Sequence, residues 1–441
     1  MALSPGGDRD VNATIAGGDG GTPDWLRLDN AAKIYPATFS SPAPAGFRLS
    51  VTLRAPIRVA LLAEALRTVL RRCPYYQVHL RRGFFWYYLQ RHDVAPPLHP
   101  MNEATISAIP AWRRDTDLFR VQVRGATIAV DFSHILTDGT GGLIFLGTLA
   151  TRYLELCGVN IGDWAPFLDP SEAPSAEEYE DAHNRFFDPR APRPARLSKA
   201  YRLPGTPEHR YRIITGRMAV TGVLERARAH GVSLTEYLGA LYLFSLMQIR
   251  ERRERRGERV GPSVIRLEVP VDMRRFFSSK TVRNFSLFVS PELDVSLGGY
   301  RFGEVVQKVH HSLKMQIDAR ELGRQIGRNV RAERHPAIRA SPLFVKDLVL
   351  SVAYQRLGET AYSGVLTNLG TIAVPAAVEP HIESFGALIN PSYGMKKNCV
   401  VASFRDSLQV SFGSVVASRD LERDFFTWLA ADGVHVVVSE R

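Results

Sequence analysis

The clearest pattern of hydrophobic and polar positions lies in the first third of the chain and predicts a strand followed by a buried helix. Residues 126–132 alternate between apolar and polar side chains, as in a strand with one buried face. Residues 140–154 are apolar on most sides, which is typical of a buried helix. Upstream, apolar residues recur at intervals of three and four over residues 61–72 and predict an amphipathic helix.

The second half of the chain alternates between strand-like and helix-like segments in the same way. Ser233 followed by Glu236 forms a capping-box pattern, and the apolar residues after it predict a core helix through Ile249. Strands are predicted near residues 84–90, 118–124, 211–218, 264–269, 364–368, 387–389, 399–404 and 407–413, and helices near 221–230, 302–331 and 421–430.

A proline-rich stretch separates the two halves. Eight prolines lie between residues 164 and 210, too many for regular elements, so this stretch is predicted to be an extended crossover. A chain of 441 residues can bury two sizeable cores. The predicted organisation is therefore a disordered N-terminus (1–23), an N-terminal subdomain (24–163), the crossover (164–210) and a C-terminal subdomain (211–441).

Composition narrows the possible functions. The three cysteines form no metal-binding or redox pattern, so we expect a reduced, cytoplasmic protein without a structural metal. We expect no membrane span, because no apolar run reaches the necessary length. We expect no signal peptide either, because the Gly- and Asp-rich N-terminus up to Pro23 has no apolar core region. The net charge of +11 fits an acidic ligand and equally fits a solvated basic surface. Without a nucleic-acid-binding motif, a nucleic-acid partner is not expected.

The candidate chemistry lies between the first predicted strand and its helix. His134 stands four residues before the pair Asp138-Gly139, a spacing that chance would produce about 0.05 times in such a chain. A neutral imidazole is well suited to remove a proton from a hydroxyl, thiol or amine near neutral pH. The position at a strand end beside a glycine-rich helix start makes His134 the candidate general base.

Asp138 has two interpretations, as a partner of the histidine in a catalytic triad or as the N-cap of the following helix. The cap is favoured, because Asp138 stands where the helix from Thr140 needs an acceptor for its free N–H groups. The chain also lacks the G-x-S-x-G pattern that would supply a serine nucleophile. The predicted chemistry is direct attack on an activated acyl group, without an acyl-enzyme.

The motif His134-x-x-x-Asp138-Gly139 resembles the signature of the CoA-dependent acyltransferase superfamily. That superfamily includes chloramphenicol acetyltransferase, the BAHD plant enzymes, alcohol acetyltransferases and the condensation domains of peptide synthetases. The chain is also similar to bacterial alcohol acetyltransferase-like proteins in residues 25–36, 71–76, 80–86, 269–275, 284–285 and 366–370. These segments occur in the expected order and cover roughly residues 24–435.

The resemblance implies an α/β fold, a two-domain chloramphenicol acetyltransferase-like sandwich. Each half would be a mixed sheet covered by helices, with a channel between them. It implies that Arg274 pairs with Asp138; a surface arginine is the alternative. It also implies that Asn284 stabilises the oxyanion or positions the pantetheine, and that Asn368 with Gly370 lines the channel. For both asparagines a purely structural role in a turn stays open.

Two departures favour a stand-alone bacterial type. Condensation domains and wax ester synthases carry a doubled histidine, whereas Ser133 precedes His134 here, and the plant D-F-G-W-G motif is absent from the sequence. The expected activity is transfer of an acetyl or short acyl group from acyl-CoA, a cosubstrate, to a small-molecule alcohol or amine, with no tightly bound cofactor. The alternatives are an acyl carrier protein as donor, or a non-catalytic binding protein. The sequence does not identify the acceptor or the acyl length.

Overall fold

The computed structural model describes residues 23–38, 46–102, 106, 109–192, 197–208, 211–353, 360–390 and 394–441. The predicted disordered segment 1–23 therefore lies, apart from its last residue, outside the described residues. The helices are α1 Val59–Arg72, α2 Gly139–Leu156, α3 Ala182–Arg185, α4 Val220–Ala229, α5 Leu234–Arg255, α6 Phe302–Gln316, α7 Ala319–Arg334, α8 Pro336–Ala340, α9 Leu343–Ala353 and α10 Asp420–Ala431. The strands are β1 Trp25–Arg27, β2 Gly46–Leu53, β3 Val78–Arg82, β4 Tyr87–Arg91, β5 His99–Pro100, β6 Phe119–Arg124, β7 Thr127–Ser133, β8 Arg212–Ala219, β9 Val264–Asp272, β10 Ser286–Val289, β11 Glu292–Asp294, β12 Gly364–Thr371, β13 Ile382–Ile389, β14 Lys397–Phe404, β15 Ser407–Ser414 and β16 Val437–Glu440.

A five-stranded sheet in the order β13-β2-β7-β6-β5 forms the first lobe together with α1 and α2. Its strands are antiparallel except for the short parallel pairing of β5 with β6. Phe132 on β7 packs against Phe145 on α2 with ring centroids 5.9 Å apart, at the centre of this lobe's core. A separate three-stranded sheet, β1-β4-β3, joins the same lobe.

An eight-stranded sheet organises the second lobe, in the order β10-β9-β12-β14-β15-β8-β16 with β11 paired to β9. It is mixed, because β12 runs parallel to both β9 and β14 whereas the other pairs are antiparallel. Helix α5 lies buried in its core and begins with the predicted capping box of Ser233 and Glu236. The expected α/β architecture, with mixed sheets covered by helices in two lobes, is confirmed.

One strand crosses between the lobes. β13 comes from the second half of the chain, yet it pairs with β2 in the first lobe over Ile382–Ile389. β14, the next strand, returns to the eight-stranded sheet. The two sheets are therefore interlocked by the chain itself.

Two predicted elements differ from those observed. The helix predicted over 302–331 is two helices, because the chain leaves α6 at Ile317 and Asp318 caps α7 by accepting a hydrogen bond from the Arg320 N–H at 2.8 Å. The strand predicted from residue 84 begins at Tyr87, after a turn in which Gly83 N–H donates to the Trp86 carbonyl. Helix α9 was not predicted from the sequence.

The described part of the crossover contains no strand and two short helical segments, Ala176–Tyr179 and Ala182–Arg185. Among the described residues, no single helix has the length and apolar character needed to cross a membrane. Helices α4 and α5 meet those criteria only when combined, across a bend of 80°.

Candidate active site

The loop between β7 and α2 holds His134 at the boundary of the two lobes. β7 ends at Ser133, and α2 begins at Gly139 with Asp138 as its N-cap. The Asp138 Oδ1 atom accepts a hydrogen bond from the Gly141 N–H at 3.0 Å, which satisfies one of the free donors at the helix start. The cap fixes the turn that follows His134.

The same carboxylate binds the second lobe. Arg274 donates to Asp138 Oδ2 at 3.0 Å and to Oδ1 at 3.3 Å, and the Phe285 N–H donates to Oδ2 at 2.8 Å. Asp138 is buried, and these partners together with the Gly141 N–H occupy both of its oxygens. The structure therefore brings Asp138 and Arg274 together, and it gives Asp138 a role in holding the loop rather than in orienting the imidazole.

Arg274 is itself held on several sides. It donates to Asp272 Oδ1 at 2.8 Å and to the carbonyl oxygens of Thr281 and Arg283 at 2.7 and 2.6 Å. Burial acts to lower the pKa of Arg274, but Asp138 and Asp272 outweigh it and raise that pKa. The guanidinium is thus a permanent cation that crosslinks the 272–285 segment to the motif.

Glycine is required at the start of α2 by the closeness of the second lobe. A Cβ atom on Gly141 would overlap the carbonyl oxygen of Val282 and the side chain of Thr137. Thr137 in turn donates a hydrogen bond to the Val282 carbonyl at 2.5 Å. Gly139, the last residue of the motif, faces Leu369, which would lie 3.2 Å from an added Cβ.

The His134 ring lies between two aromatic rings. Tyr35 stacks on it at 5.3 Å between centroids, and Phe47 lies 4.7 Å away in a tilted arrangement. Burial lowers the pKa of His134 to about 4, and the Asp138 charge and the Thr137 backbone offset this effect only partly. The imidazole is therefore neutral at physiological pH. Its Nδ1 atom is buried without a hydrogen-bond partner of normal geometry among the described residues.

Asn284 supports the backbone of His134. Its Nδ2 group donates to the His134 carbonyl at 3.0 Å and to Asp29 Oδ2 at 3.1 Å. Both amide hydrogens are thereby used, so in this arrangement Asn284 has no N–H left for an oxyanion. The geometry favours a positioning role over the oxyanion role that the sequence suggested.

Asn368 shapes an irregularity in β12. Its Nδ2 group donates to Thr235 Oγ1 at 2.8 Å, and its Oδ1 accepts from the Gly370 N–H at 2.8 Å. The strand register shifts between Asn368 and Thr371, and Gly370 has a φ of 72°, a conformation that favours glycine. The bulge carries Leu369 to Gly139, so Asn368 reaches the motif indirectly, through the shape of the strand.

Sequence reasoning did not assign roles to three residues that surround His134. Tyr35 and Phe47 contact the ring, and the buried Asp29 accepts the hydrogen bond from Asn284. Burial raises the pKa of Asp29, although Arg283 and Asn284 act against this effect. Asp29 also accepts a hydrogen bond from the Ala32 N–H at 2.7 Å. Aspartate side chains commonly bind backbone N–H groups a few residues further along the chain, so the sequence did contain a signal for this contact.

Neither the known protein-family models nor the curated proteins contain a match to this sequence. Solved structures do match. Polyketide synthase associated protein 5 from Mycobacterium tuberculosis is 16% identical with a TM-score of 0.62, and the alignment covers 92% of this chain and 97% of that one.

Two further matches come from different kinds of enzyme. The trichothecene 15-O-acetyltransferase from Fusarium sporotrichioides is 11% identical with a TM-score of 0.57, covering 92% of this chain and 94% of that one. A mutant starter condensation domain of rhizomide synthetase, in complex with C8-CoA and Leu-SNAC, is 14% identical with a TM-score of 0.59, covering 94% and 98%. The chain therefore has the two-lobed fold shared by CoA-dependent acyltransferases and condensation domains.

Proposed function

We propose that this protein transfers an acyl group from a thioester to a hydroxyl or amine, with His134 as the general base. The observation that carries the proposal is a neutral imidazole at the lobe boundary whose backbone carbonyl is held by Asn284 from the second lobe. A base must be unprotonated and fixed within reach of its proton donor. The similarity of the fold to an acetyltransferase and a condensation domain supports acyl transfer as the reaction class.

In the proposed reaction the acceptor and the thioester meet beside His134. The imidazole takes the proton of the acceptor O–H or N–H while the acceptor atom forms a bond to the thioester carbonyl carbon. The tetrahedral intermediate then collapses, the carbon–sulfur bond breaks, and the imidazolium returns the proton to the thiolate.

We propose free acyl-CoA as the donor. Ser133 stands where carrier-dependent condensation domains have their first histidine, and the net charge of +11 suits the CoA phosphates. The rhizomide synthetase domain, a structural match, is described in complex with C8-CoA, so this fold can accept a CoA thioester. Residues 25–36, similar to alcohol acetyltransferase-like proteins, contribute Asp29 and Tyr35 to the site and favour a small alcohol as acceptor.

The experiment is a thiol-release assay with acetyl-CoA and short acyl-CoA donors, run over a panel of small alcohols and amines. His134→Ala should lower the transfer rate by about 10²–10⁴-fold, the usual contribution of a general base. His435→Ala is the matched control, because His435 is exposed and far along the chain from the motif. Near-normal turnover in a folded His134→Ala variant would contradict the proposal, and thermal unfolding of both variants checks the fold.

The two alternatives give different results in the same assay. A carrier-dependent enzyme would transfer a carrier-bound acyl group and show no calorimetric binding of CoA at low salt. A non-catalytic protein would bind a ligand without releasing thiol from any donor. If CoA binds through its phosphates, its affinity should fall as salt rises, and a dephospho-CoA thioester should bind less well.

A further inference from the structure

Helix α9 is amphipathic in the direction opposite to that of an ordinary surface helix. Among its described side chains, all the exposed ones are apolar, and their spacing of one and three positions places them on one face. The lysine of this helix points inward, because Lys346 is only 6% exposed whereas Leu348 is 67% exposed. The exposed residues are Phe344, Val345, Leu348, Val349 and Val352.

The two charged residues of α9 are held by the protein itself. Lys346 Nζ donates a hydrogen bond to the Phe85 carbonyl at 2.8 Å and lies 3.6 Å from the centre of the Trp86 ring. Asp347 accepts a hydrogen bond from the Tyr87 hydroxyl at 2.9 Å. These contacts fix the rotation of the helix about its own axis, so its apolar face stays directed outward.

The turn between β3 and β4 extends this surface. The Leu343 N–H donates to the Phe84 carbonyl at 2.9 Å, so the turn lies against the start of α9. Phe84 and Phe85 form a T-shaped pair with centroids 4.8 Å apart, and they are 71% and 45% exposed. Seven of the 20 large apolar side chains that are exposed in the described part of the chain thus share one surface, a concentration typical of an interaction site. This apolar patch consists of Phe84, Phe85, Phe344, Val345, Leu348, Val349 and Val352.

Basic residues border the apolar patch. Arg82 directly precedes the turn and its side chain is 62% exposed, and Arg339 is exposed on α8, shortly before α9. Asp347 is the only acidic residue within residues 82–88 and 336–352, and its carboxylate faces the Arg82 guanidinium at 3.6 Å. The border of the apolar patch is therefore positive, in agreement with the net charge of +11 for the whole chain.

This combination of shape and charge favours a lipid surface over a protein as the partner. A symmetric contact between two copies of the chain would bring two positive borders together, which opposes pairing. The apolar side chains project from one helix face and one turn, so a protein partner would need a groove of matching shape, whereas lipids adapt to them. Helices that lie in the plane of a membrane interface likewise combine an apolar face with basic residues.

We propose that the apolar patch binds the surface of a membrane that contains anionic lipids, with Arg82 and Arg339 at the lipid headgroups. The side chains of α9 would enter the boundary between headgroups and acyl chains, at a depth of about 5–10 Å. This contact requires no membrane-spanning helix. Helix α9 packs on the segment Ala32–Thr38, whose Tyr35 stacks on His134, so one helix would separate the bound membrane from a wall of the candidate active site.

The test is co-sedimentation of the full chain with vesicles of phosphatidylcholine alone and of phosphatidylcholine mixed with phosphatidylglycerol. The wild type should bind the mixed vesicles, and it should bind pure phosphatidylcholine more weakly. Phe344→Ser/Leu348→Ser should lower the affinity for mixed vesicles by about tenfold or more, because two apolar side chains no longer enter the lipid. Arg339→Gln should lower it about fivefold, the contribution of one basic residue at an anionic surface.

The matched control is Leu297→Ser, because Leu297 is a fully exposed leucine far along the chain from the apolar patch. This variant should bind vesicles as the wild type does. All the substituted side chains are exposed, so the variants should keep the fold, and thermal unfolding checks this. The measurement requires no transfer activity, so its result is independent of the proposed reaction.

Three results would overturn the proposal. The first is a wild type that stays in the supernatant with mixed vesicles at low salt. The second is equal binding by the wild type and Phe344→Ser/Leu348→Ser, because the basic surface alone would then adsorb to the lipid. The third is a dimer in sedimentation equilibrium that Phe344→Ser/Leu348→Ser dissociates, since a second copy of the chain would then cover the apolar patch.

Discussion

The ion pair between Asp138 and Arg274 allows a direct test of how the second lobe holds the catalytic loop. The perturbations are Asp138→Asn, which keeps the shape and capping ability of the side chain, and Arg274→Met, which keeps much of the stem. Both side chains are about nine-tenths buried, so the charge left behind in each variant stays out of water.

The magnitude follows from the contacts that each variant keeps. Removing one partner of a buried pair costs about 3–5 kcal/mol. Arg274 without the Asp138 charge still has Asp272 at 2.8 Å, and Asp138 without Arg274 still accepts from the N–H groups of Gly141 and Phe285. These remaining partners reduce the expected loss for either variant to about 2–4 kcal/mol of unfolding free energy.

The assay combines urea unfolding with the transfer rate for the wild type, both single variants and the double variant. Since the two side chains contact each other, the double variant should lose less than the sum of the single variants, by about 1–3 kcal/mol. The transfer rate should fall in parallel with stability, because the loop that carries His134 would no longer be held.

The reference is the exposed pair Glu321–Arg324 on α7, whose atoms lie 2.7 Å apart with both side chains nearly half exposed. The same cycle there should give a coupling of about 0–1 kcal/mol, since water screens exposed charges. Losses at Asp138 and Arg274 that add within about 0.5 kcal/mol would refute the reasoning, because additive losses mean independent sites.

Three further predictions follow from other features. Because the pKa of His134 is lowered to about 4, kcat/KM should stay constant from pH 8 to about pH 5 and decrease at lower pH. A decrease of kcat/KM with an apparent pKa of about 6.5, the value of a free histidine, would contradict this. Burial raises the pKa of Glu268 to about 7, so folding favours its protonated form and this stability is lost as pH rises. The free energy of unfolding of Glu268→Gln should thus exceed that of the wild type by about 1–3 kcal/mol at pH 8, with little difference at pH 4. An equal difference at both pH values in urea unfolding would contradict this. Gly141→Ala should be strongly destabilising because the Val282 carbonyl blocks a Cβ, whereas Gly323→Ala on α7, with open space around it, should stabilise by about 0.5–1 kcal/mol in thermal unfolding; similar shifts for both would contradict the packing.

Local patterns were sufficient to predict the elements that carry the motif. The alternation of residues 126–132 predicted β7, and the acceptor at Asp138 predicted the start of α2, because both signals are contained within a few residues. The break between α6 and α7 was missed although Asp318 is an N-cap residue, since the apolar spacing continues across it. Capping signals therefore need to be weighed even within a periodic segment.

The surroundings of His134 depend on contacts that no local pattern contains. The resemblance to acyltransferases singled out Asn284 as a site residue. Its hydrogen bonds to Asp29 and to the His134 carbonyl, however, join residues more than 100 positions apart, which no local sequence pattern predicts. These long-range hydrogen bonds use both amide hydrogens of Asn284, so its predicted oxyanion role was replaced by a positioning role.

The crossing of β13 has a consequence for how the chain reaches its folded state. One edge of β2 pairs with β7, but its other edge is covered only by β13, which begins at Ile382. A very large loop must therefore close before this edge of the first sheet is covered. Closing such a loop costs entropy before any contact is gained, and sheets built from distant segments fold slowly. During synthesis β2 emerges long before β13 and presents an unpaired edge of the kind that promotes aggregation. A fragment ending at residue 210 should therefore be prone to self-association, and the intact chain should complete its first lobe last.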